Sequence, residues 1–171
     1  MTASKAGRPA PSEKNPLKMA GEIANAVELD SVALRAWSAE FLGGGMAPPS
    51  LKGRNEVSAA HSARFDYDQE RGLLDVLVSF EVIAREAAKE GRERVKIRCD
   101  LALRYSFKSS PDLSEEHLKH FANLNGVVNA WPYLRETVHA TTNRMGLPPL
   151  VLPLFRVSNP AGTKRQAAGA S

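Results

Sequence analysis

The feature that most constrains this chain is a strict alternation of apolar and polar residues between positions 94 and 108. The apolar set is Val95, Ile97, Cys99, Leu101, Leu103, Tyr105 and Phe107, and the intervening set is Lys96, Arg98, Asp100, Ala102, Arg104, Ser106 and Lys108. Because successive side chains of a strand point to opposite faces, this pattern predicts a long strand with one buried and one solvated face.

Two segments upstream, 56–68 and 73–85, repeat this alternation and are also predicted to be strands. The links between the three segments are short, and each contains a glycine. Short links join antiparallel neighbours, so the three strands are predicted to form an antiparallel meander. His61 falls among the apolar residues of the first strand, and we expect it to be a core residue rather than a base.

The C-terminal third changes from strand to helix periodicity. Ser114 can cap a helix whose first turn contains Glu115 and Glu116, because acids there suit the helix dipole. An apolar stripe follows at helical spacing: Leu118, Phe121, Leu124, Val128, Trp131, Leu134, Val138 and Met145. One amphipathic helical region of this length can cover part of the apolar face of the meander.

Two features interrupt this stripe, namely Asn125-Gly126 and Pro132. Because proline is tolerated in the first turn of a helix and disfavoured deeper inside, we predict a short helix, a break and a longer helix that starts near Pro132. Gly146 is placed to cap the end of the longer helix. Residues 150–155 then form a compact apolar segment.

The N-terminal part is less clearly patterned. Residues 17–42 fit either a helix face or a strand, and periodicity alone does not decide between them. The loop that follows, 43–49, is irregular because it contains three glycines and two prolines. Residues 1–16 and 158–171 are polar or small, so we expect two disordered tails around one domain at 17–157.

The net charge of +4 comes entirely from the two tails, which contribute +2 each. The remaining segment contains 18 bases and 18 acids. A nucleic-acid-binding domain concentrates cations on its folded face, so we predict no specific nucleic-acid role. No stretch is apolar enough to span a membrane and no secretory signal is evident, and a single cysteine suits a reducing compartment, so a cytoplasmic location is expected.

No pattern indicates catalysis, so we expect that the protein is not an enzyme and needs no cofactor or metal. His117 and His120 have a spacing that zinc sites use, but a third ligand is not evident, and exposed helix histidines explain them as well. Cys99 lies among inward-facing aliphatic residues, where a thiol is usually inert. A zinc enzyme and a tail-driven nucleic-acid binder remain alternatives.

Two stretches resemble the SecB family of protein-export chaperones. The first is Trp131-Pro132-Tyr133-Leu134-Arg135-Glu136, and the second is Arg144-Met145-Gly146-Leu147-Pro148-Pro149-Leu150-Val151-Leu152-Pro153. That family has an aromatic-Pro-Tyr-x-Arg-Glu segment at its long helix, an Arg-x-Gly turn and a Leu/Pro-rich return. The resemblance covers roughly 27–157 in element order, although its specific residues are confined to 131–153.

The resemblance implies an α+β fold in which a four-stranded antiparallel sheet is covered by a long C-terminal helix. Residues 27–41 would then be the first strand, and a short helix would follow the long one. It also implies an ATP-independent holdase, assembled as a homotetramer (a dimer of dimers), that binds unfolded or precursor polypeptides for export. The SecA translocase motor would be a possible partner.

The resemblance also implies functional residues. A client-binding groove would involve Met46, Leu51, Leu150, Val151, Leu154 and Phe155, although these residues fit a plain core or subunit interface equally well. Docking of the motor would involve Glu40 and Asp100. We interpret Trp131, Tyr133, Arg135 and Glu136 as the helix start and its oligomer interface.

Two positions depart from the family pattern and bear on motor docking. Ala36 stands where an acid is expected, and Arg98 where an apolar residue is expected. These departures leave room for an alternative function, a dedicated SecB-like chaperone of one client, such as the antitoxin of a toxin–antitoxin pair.

Overall fold

The computed structural model of the protein describes residues 15–43, 55–86, 92–108 and 113–155. The elements in chain order are α1 (Pro16–Ala24), β1 (Val27–Phe41), β2 (Asn55–Asp68), β3 (Leu73–Glu86), β4 (Arg92–Phe107), α2 (Glu115–Phe121), a π-helical segment (Ala122–Gly126) and α3 (Val127–Arg144). The strands form one antiparallel sheet in the order β1-β4-β3-β2. The α+β class, the meander and the implied first strand at 27–41 are confirmed.

The ambiguous segment 17–42 divides into a helix and a strand. The Asn15 side chain caps α1 by accepting the Leu17 N–H at 3.0 Å, and Pro16 occupies the first turn, where its missing N–H has no cost. α1 buries Met19 and Ile23, so the helical spacing in this part of the sequence is real. From Val27 onward the chain is extended and pairs with β4.

A tight turn joins β2 to β3, as the short link predicts. The Asp68 carboxylate accepts the backbone N–H of Arg71 at 3.0 Å, and Gly72 adopts a positive φ of 61°. A residue with a side chain is strained in that conformation, which explains the glycine at this position.

The predicted helix break and restart are wrong, because one helical region of 30 residues runs from Glu115 to Arg144. The π-helical segment accommodates Asn125-Gly126 without ending the helix. Gly126 lies so close to β3 that a Cβ atom there would be 2.9 Å from Val76 Cγ1. Pro132 lies inside α3 on its exposed side, where water can replace the lost hydrogen bond.

Both predicted helix ends are confirmed. Ser114 caps α2, with His117 in the place of the usual Glu or Gln: the backbone N–H of Ser114 donates to His117 Nδ1 at 3.3 Å. At the other end Gly146 has a φ of 70°, and the backbone N–H of Leu147 donates to the Thr142 carbonyl at 3.0 Å. Such a closure directs the chain back along the helix.

The core lies between the helical region and the two central strands. Every residue on the helix-facing side of β3 from Leu74 to Ala84, and of β4 from Val95 to Tyr105, is buried. The helix-facing sides of the outer strands, β1 and β2, are only half-buried or exposed. A single helical layer therefore covers the middle of the sheet and leaves both of its margins accessible in the monomer.

Candidate functional site

The chain returns along the helical region through residues 147–155, here called the return segment. Two hydrogen bonds hold it: the Trp131 indole N–H donates to the Pro153 carbonyl at 2.9 Å, and the Leu150 N–H donates to Thr142 Oγ1 at 3.2 Å. Thr142 is completely buried, so its hydroxyl is well placed to hold the backbone in a single position.

Apolar side chains of the return segment divide into a buried and an exposed set. Leu147, Leu150 and Leu152 are buried, whereas Val151 and Leu154 are 69% and 71% exposed. The buried set anchors the segment to the core. The exposed set presents two aliphatic side chains to solvent from a fixed backbone, which is a suitable arrangement for contacting another polypeptide.

Four rings connect the return segment to the sheet. Phe155 packs against Trp131 and His61, with ring centroids 5.1 and 5.7 Å apart. Phe80 of β3 in turn packs against Trp131 at 5.9 Å and against His61 at 6.2 Å. This cluster places Phe155 beside the helix-facing side of β2, where Ala59 and Ala63 are half-buried.

We name the combination of Ala59, His61, Ala63, Val151, Leu154 and Phe155 the β2 apolar surface. His61 is exposed, so the expectation that it is a core residue is wrong. The reason is that β2 is an outer strand, and its contacts with the helical region do not cover His61. The free edge of β2 pairs with no strand among residues 15–43, 55–86, 92–108 and 113–155.

β1 forms a second accessible apolar region, here called the β1 apolar surface. It consists of Leu29, Leu34 and Trp37, together with Tyr133, which lies two turns before Thr141 on α3. These four side chains are 41%, 54%, 45% and 46% exposed. The three residues on β1 pair with buried residues of β4, so they face the helical side. The Trp37 indole N–H donates to Thr141 Oγ1 at 3.0 Å, which ties β1 to α3. The sequence pattern missed this surface because 17–42 fitted two structures.

The predicted site residues fall in different places. Leu150, Val151, Leu154 and Phe155 share the return segment, while Met46 and Leu51 lie outside the described residues, as do positions 1–14 and 158–171 of the expected tails. Trp131 is buried within the ring cluster, and Tyr133 is exposed on α3. Arg135 is half-buried and Glu136 is exposed further along the same helix.

The opposite, polar face of the sheet is crossed by ion pairs. Asp75 accepts two hydrogen bonds of 2.7 Å from Arg104, and these hold the pKa of its carboxyl below the usual value. Glu81 lies 3.0 Å from Lys96 and 3.1 Å from Arg98, and hydrogen bonds to these two cations lower the pKa of its carboxyl. Most charges on the two central strands are therefore already satisfied.

Glu40 and Asp100, the residues expected to dock a motor, both belong to this polar face. Glu40 lies opposite Lys96, and Asp100 lies opposite Ala36. Arg98, two residues before Asp100, is engaged by Glu81. On the polar face, Asp100 therefore lies near the Arg98 guanidinium group, which is paired with Glu81, and opposite the Ala36 methyl group. This setting carries less negative charge than a row of acids would give.

Residues considered for catalysis have structural roles. His117 Nδ1 accepts the Ser114 N–H and its Nε2 lies 3.2 Å from Glu22, so it joins α2 to α1. No group of three His, Cys, Asp or Glu that could bind a metal occurs in the described part of the chain. Cys99 is buried, and desolvation raises the pKa of its thiol to about 11, which disfavours the reactive thiolate. No described helix is long and apolar enough to span a membrane.

Comparison with known proteins supports the fold and leaves the sequence family open. No protein-family model matches the sequence, and a search of curated proteins gives no match either. One solved structure, the SecB-like chaperone Rv1957 of Mycobacterium tuberculosis in complex with a ChAD peptide from the Rv1956 HigA1 antitoxin, aligns with a TM-score of 0.71 and 20% identity. The alignment covers 82% of this chain and 98% of that chain.

The chain therefore has a SecB-like fold, as the resemblance at 131–153 predicts. A protein of unknown function from Streptococcus agalactiae also aligns, over 74% of this chain and 96% of its own, but its TM-score of 0.37 and 7% identity are too low to indicate a shared fold.

Proposed function

We propose that this protein is a molecular chaperone, a holdase that binds non-native polypeptides without ATP. The observation that carries this proposal is the pair of exposed aliphatic side chains, Val151 and Leu154, on a hydrogen-bonded return segment whose Phe155 contacts His61 of β2. The SecB-like fold supports the same function. Neither catalysis nor a cofactor forms part of the proposal.

The proposed mechanism is reversible burial of apolar client segments. Each Å² of apolar surface removed from water contributes roughly 25 cal/mol, without regard to the detailed sequence of the client. The free edge of β2 can add backbone hydrogen bonds to an extended segment, which are equally indifferent to sequence. Small residues such as Ala59 and Ala63 leave room for client side chains of different size.

We further propose that the protein assembles as a homotetramer, a dimer of dimers, in which the β1 apolar surface contacts a second copy. A cluster of large exposed residues on one strand, joined to a helix by the Trp37–Thr141 hydrogen bond, is typical of a surface that is covered in the assembled protein. Tyr133 extends this surface onto α3 and suits the interface role expected for the helix-start residues.

As clients we propose precursor polypeptides in the cytoplasm that await export, with the SecA motor as a possible partner at Glu40 and Asp100. An alternative is a chaperone dedicated to one client, such as an antitoxin. The specific observation in its favour is that the M. tuberculosis protein of the same fold is described in complex with an antitoxin peptide. Both functions use the same β2 apolar surface.

The test is suppression of aggregation when a denatured precursor is diluted from urea, followed by light scattering in the absence of nucleotide. The wild-type protein should suppress scattering at near-stoichiometric amounts. The double variant Val151→Ser/Leu154→Ser should lose most of this activity, because it removes the exposed aliphatic side chains without touching the buried anchors.

Leu17→Ser is the matched control, since Leu17 is also an exposed aliphatic residue but lies on α1. It should suppress aggregation like the wild type. Equal activity of the double variant and the wild type would show that the return segment is not the binding surface. Suppression of only one client among several unrelated precursors would favour the dedicated chaperone.

A further inference from the structure

The ion pairs of the polar face leave two cations on the outer strands unused. Arg35 of β1 and Arg64 of β2 are both exposed, and neither side chain has a hydrogen-bond or ion-pair partner in the described part of the chain. On the central strand β4, by contrast, Arg104 is held by two hydrogen bonds to Asp75. The two unused guanidinium groups are therefore available to a partner, one at each side of the polar face.

A β-bulge adds one of these cations to the polar face. Leu34 pairs with Leu101 and Ala36 pairs with Asp100, so Arg35 is the additional residue that pairs with none. Because Asp100 belongs to the polar face, Ala36 does so too. Arg35 lines a cavity on that face, so the bulge brings two successive side chains of β1 to the same side of the sheet.

Both arginines line one open cavity of about 540 Å³ on the polar face. The floor of this cavity is a row of small or apolar residues that pair across the sheet, namely Ala33, Ala102 and Leu77, with Arg64 next in the same row. The alanine side chains do not extend beyond a methyl group, so the backbone of a partner can come close to the sheet. From the order of the strands, Arg35 and Arg64 are three strand spacings apart, about 14 Å.

The charges around the cavity favour an acidic partner of a particular shape. The charged residues that line it are Arg35, Arg64, Arg104, Asp75 and Asp100. Arg104 and Asp75 neutralise each other, so two cations and Asp100 remain. Asp100 belongs to β4, which lies between the strands of the two unused arginines. A compact polyanion therefore meets Asp100, whereas two separated carboxylates can avoid it.

We propose that this cavity is a docking site for an extended, acidic polypeptide segment that crosses the strands and carries two carboxylates four residues apart. In an extended chain such residues point to the same side and lie about 13 Å apart, which matches the separation of Arg35 and Arg64. Each carboxylate would accept a charge-assisted, bidentate pair of hydrogen bonds from one guanidinium group. A basic segment at Asp100 would instead have to approach two cations.

This docking site does not depend on the proposed holdase function, because it lies on the opposite side of the sheet from the β2 apolar surface. An acidic partner and an apolar client could be bound at the same time. The partner is thus expected to be a protein that meets the chaperone through an acidic extended segment, and not a client recognised by its apolar residues.

The experiment measures the binding of three dye-labelled peptides of about ten residues, rich in Ser and Thr, to the full chain by fluorescence anisotropy. The first peptide has two Glu residues four positions apart, the second has two adjacent Glu residues, and the third has two Lys residues four positions apart. The first peptide should bind about threefold or more tightly than the second, and the third should not bind measurably. Raising the salt concentration should weaken binding of the first peptide, because exposed ion pairs are screened.

Arg35→Gln/Arg64→Gln should weaken binding of the first peptide by about tenfold, because both charge-assisted contacts are lost. Arg92→Gln/Arg144→Gln is the matched control, since it removes two exposed arginines that lie outside the cavity, and it should bind like the wild type. Arg35→Glu/Arg64→Glu should reverse the preference and bind the Lys peptide. Near-UV circular dichroism spectra equal to that of the wild type would show that the variants are folded.

Three results would overturn the docking site: no binding of the first peptide, the same affinity for it in Arg35→Gln/Arg64→Gln and in the control, or equal binding of spaced and adjacent Glu residues. Tighter binding of the Lys peptide by the wild type would also overturn it and favour a basic partner at Asp100. Suppression of aggregation by Arg35→Gln/Arg64→Gln should equal that of the wild type. Failure of the docking site would therefore leave the holdase function standing, and the reverse also holds.

Discussion

The two outer strands of the sheet leave their helix-facing sides open in different ways. β1 presents large residues, Leu34 and Trp37 among them, and its pairing with β4 is interrupted by two register shifts. β2 pairs with β3 without interruption, and the middle of its helix-facing side has two small residues, Ala59 and Ala63, on either side of His61, which Phe155 of the return segment contacts. The β1 margin of the sheet therefore exposes large side chains, whereas the middle of the β2 margin has small residues on either side of His61.

This difference suggests a division of roles. Large residues that meet a complementary surface give a permanent and specific interface, and the bulges at Leu29–Ser31 and Leu34–Ala36 prevent the β1 edge from pairing freely with other strands. A regular edge of small residues accepts many partners but holds each of them weakly. These features support the roles that we propose, assembly with a second copy for β1 and transient binding of clients for β2.

The largest expected effect separates the covered core from the open β1 margin. Leu101 and Leu34 lie opposite each other in the sheet, but Leu101 is 2% exposed and Leu34 is 54% exposed. Leu101→Ala should lower the free energy of unfolding by about 2–5 kcal/mol. Leu34→Ala should lower that of the monomer by less than about 1 kcal/mol, because most of its side chain remains in water.

Urea unfolding at low protein concentration, where assembly contributes least, measures both values. If Leu34→Ala lowered the free energy of unfolding as much as Leu101→Ala does, β1 would belong to the monomer core. The contrast between the covered centre of the sheet and its open β1 margin would then be wrong.

The second prediction separates assembly from client binding by means of residues that pair with one another across the four strands. Leu34 on β1 and Ala63 on β2 lie at opposite ends of this row of residues, joined through Leu101 and Val78. If the proposed oligomer forms through β1, Leu34→Glu should raise its dissociation constant by about a hundredfold or more, since burying an unpaired carboxylate costs about 3 kcal/mol or more. Ala63→Glu should leave assembly intact and weaken client binding.

Analytical ultracentrifugation measures the first quantity and peptide anisotropy the second. Dissociation of the oligomer by Ala63→Glu, or normal assembly of Leu34→Glu, would reverse the roles that we assign to the two margins.

The sequence predicts the centre of this fold better than its margins. In β4 every second residue from Val95 to Tyr105 is buried, so burial and the apolar pattern of the sequence have the same period. The strand prediction follows directly from this period. In β1 burial has no such period, because the apolar residues on its helix-facing side are exposed in the monomer. Two bulges also shift the alternation of its side chains. Periodicity could not therefore decide between helix and strand there, and the first strand was predicted only through the resemblance at 131–153.

His61 and Pro132 illustrate the same limit. The alternation in β2 correctly assigns His61 to the helix-facing side, but it cannot tell that the contacts of the helical region with this strand leave His61 exposed. Proline rules predict a helix start at Pro132, but they do not foresee the π-helical segment that carries the helix through Gly126. In both cases the deciding factor is tertiary packing across the sheet, which leaves no local pattern.

The smallest expected effect concerns the polar face of the same central strands. Arg104 holds the pKa of the Asp75 carboxyl below its usual value of 3.8 through two hydrogen bonds. A carboxyl whose folded pKa is lowered stabilises the protein above the unfolded pKa, and this contribution is lost as pH falls through the folded pKa. Because the pair is about half exposed, Asp75→Asn should cost at most about 1 kcal/mol at neutral pH.

Asp66→Asn is the matched control, since Asp66 lies directly opposite Asp75 on β2 and carries the same charge. Removing a like charge from this position should leave stability unchanged or raise it slightly. Urea unfolding of both variants at neutral pH and in acid tests the assignment, because the difference between Asp75→Asn and the wild type should shrink as pH falls through the lowered pKa of Asp75. A difference of the same size at both pH values would show that packing, and not charge, supports the polar face.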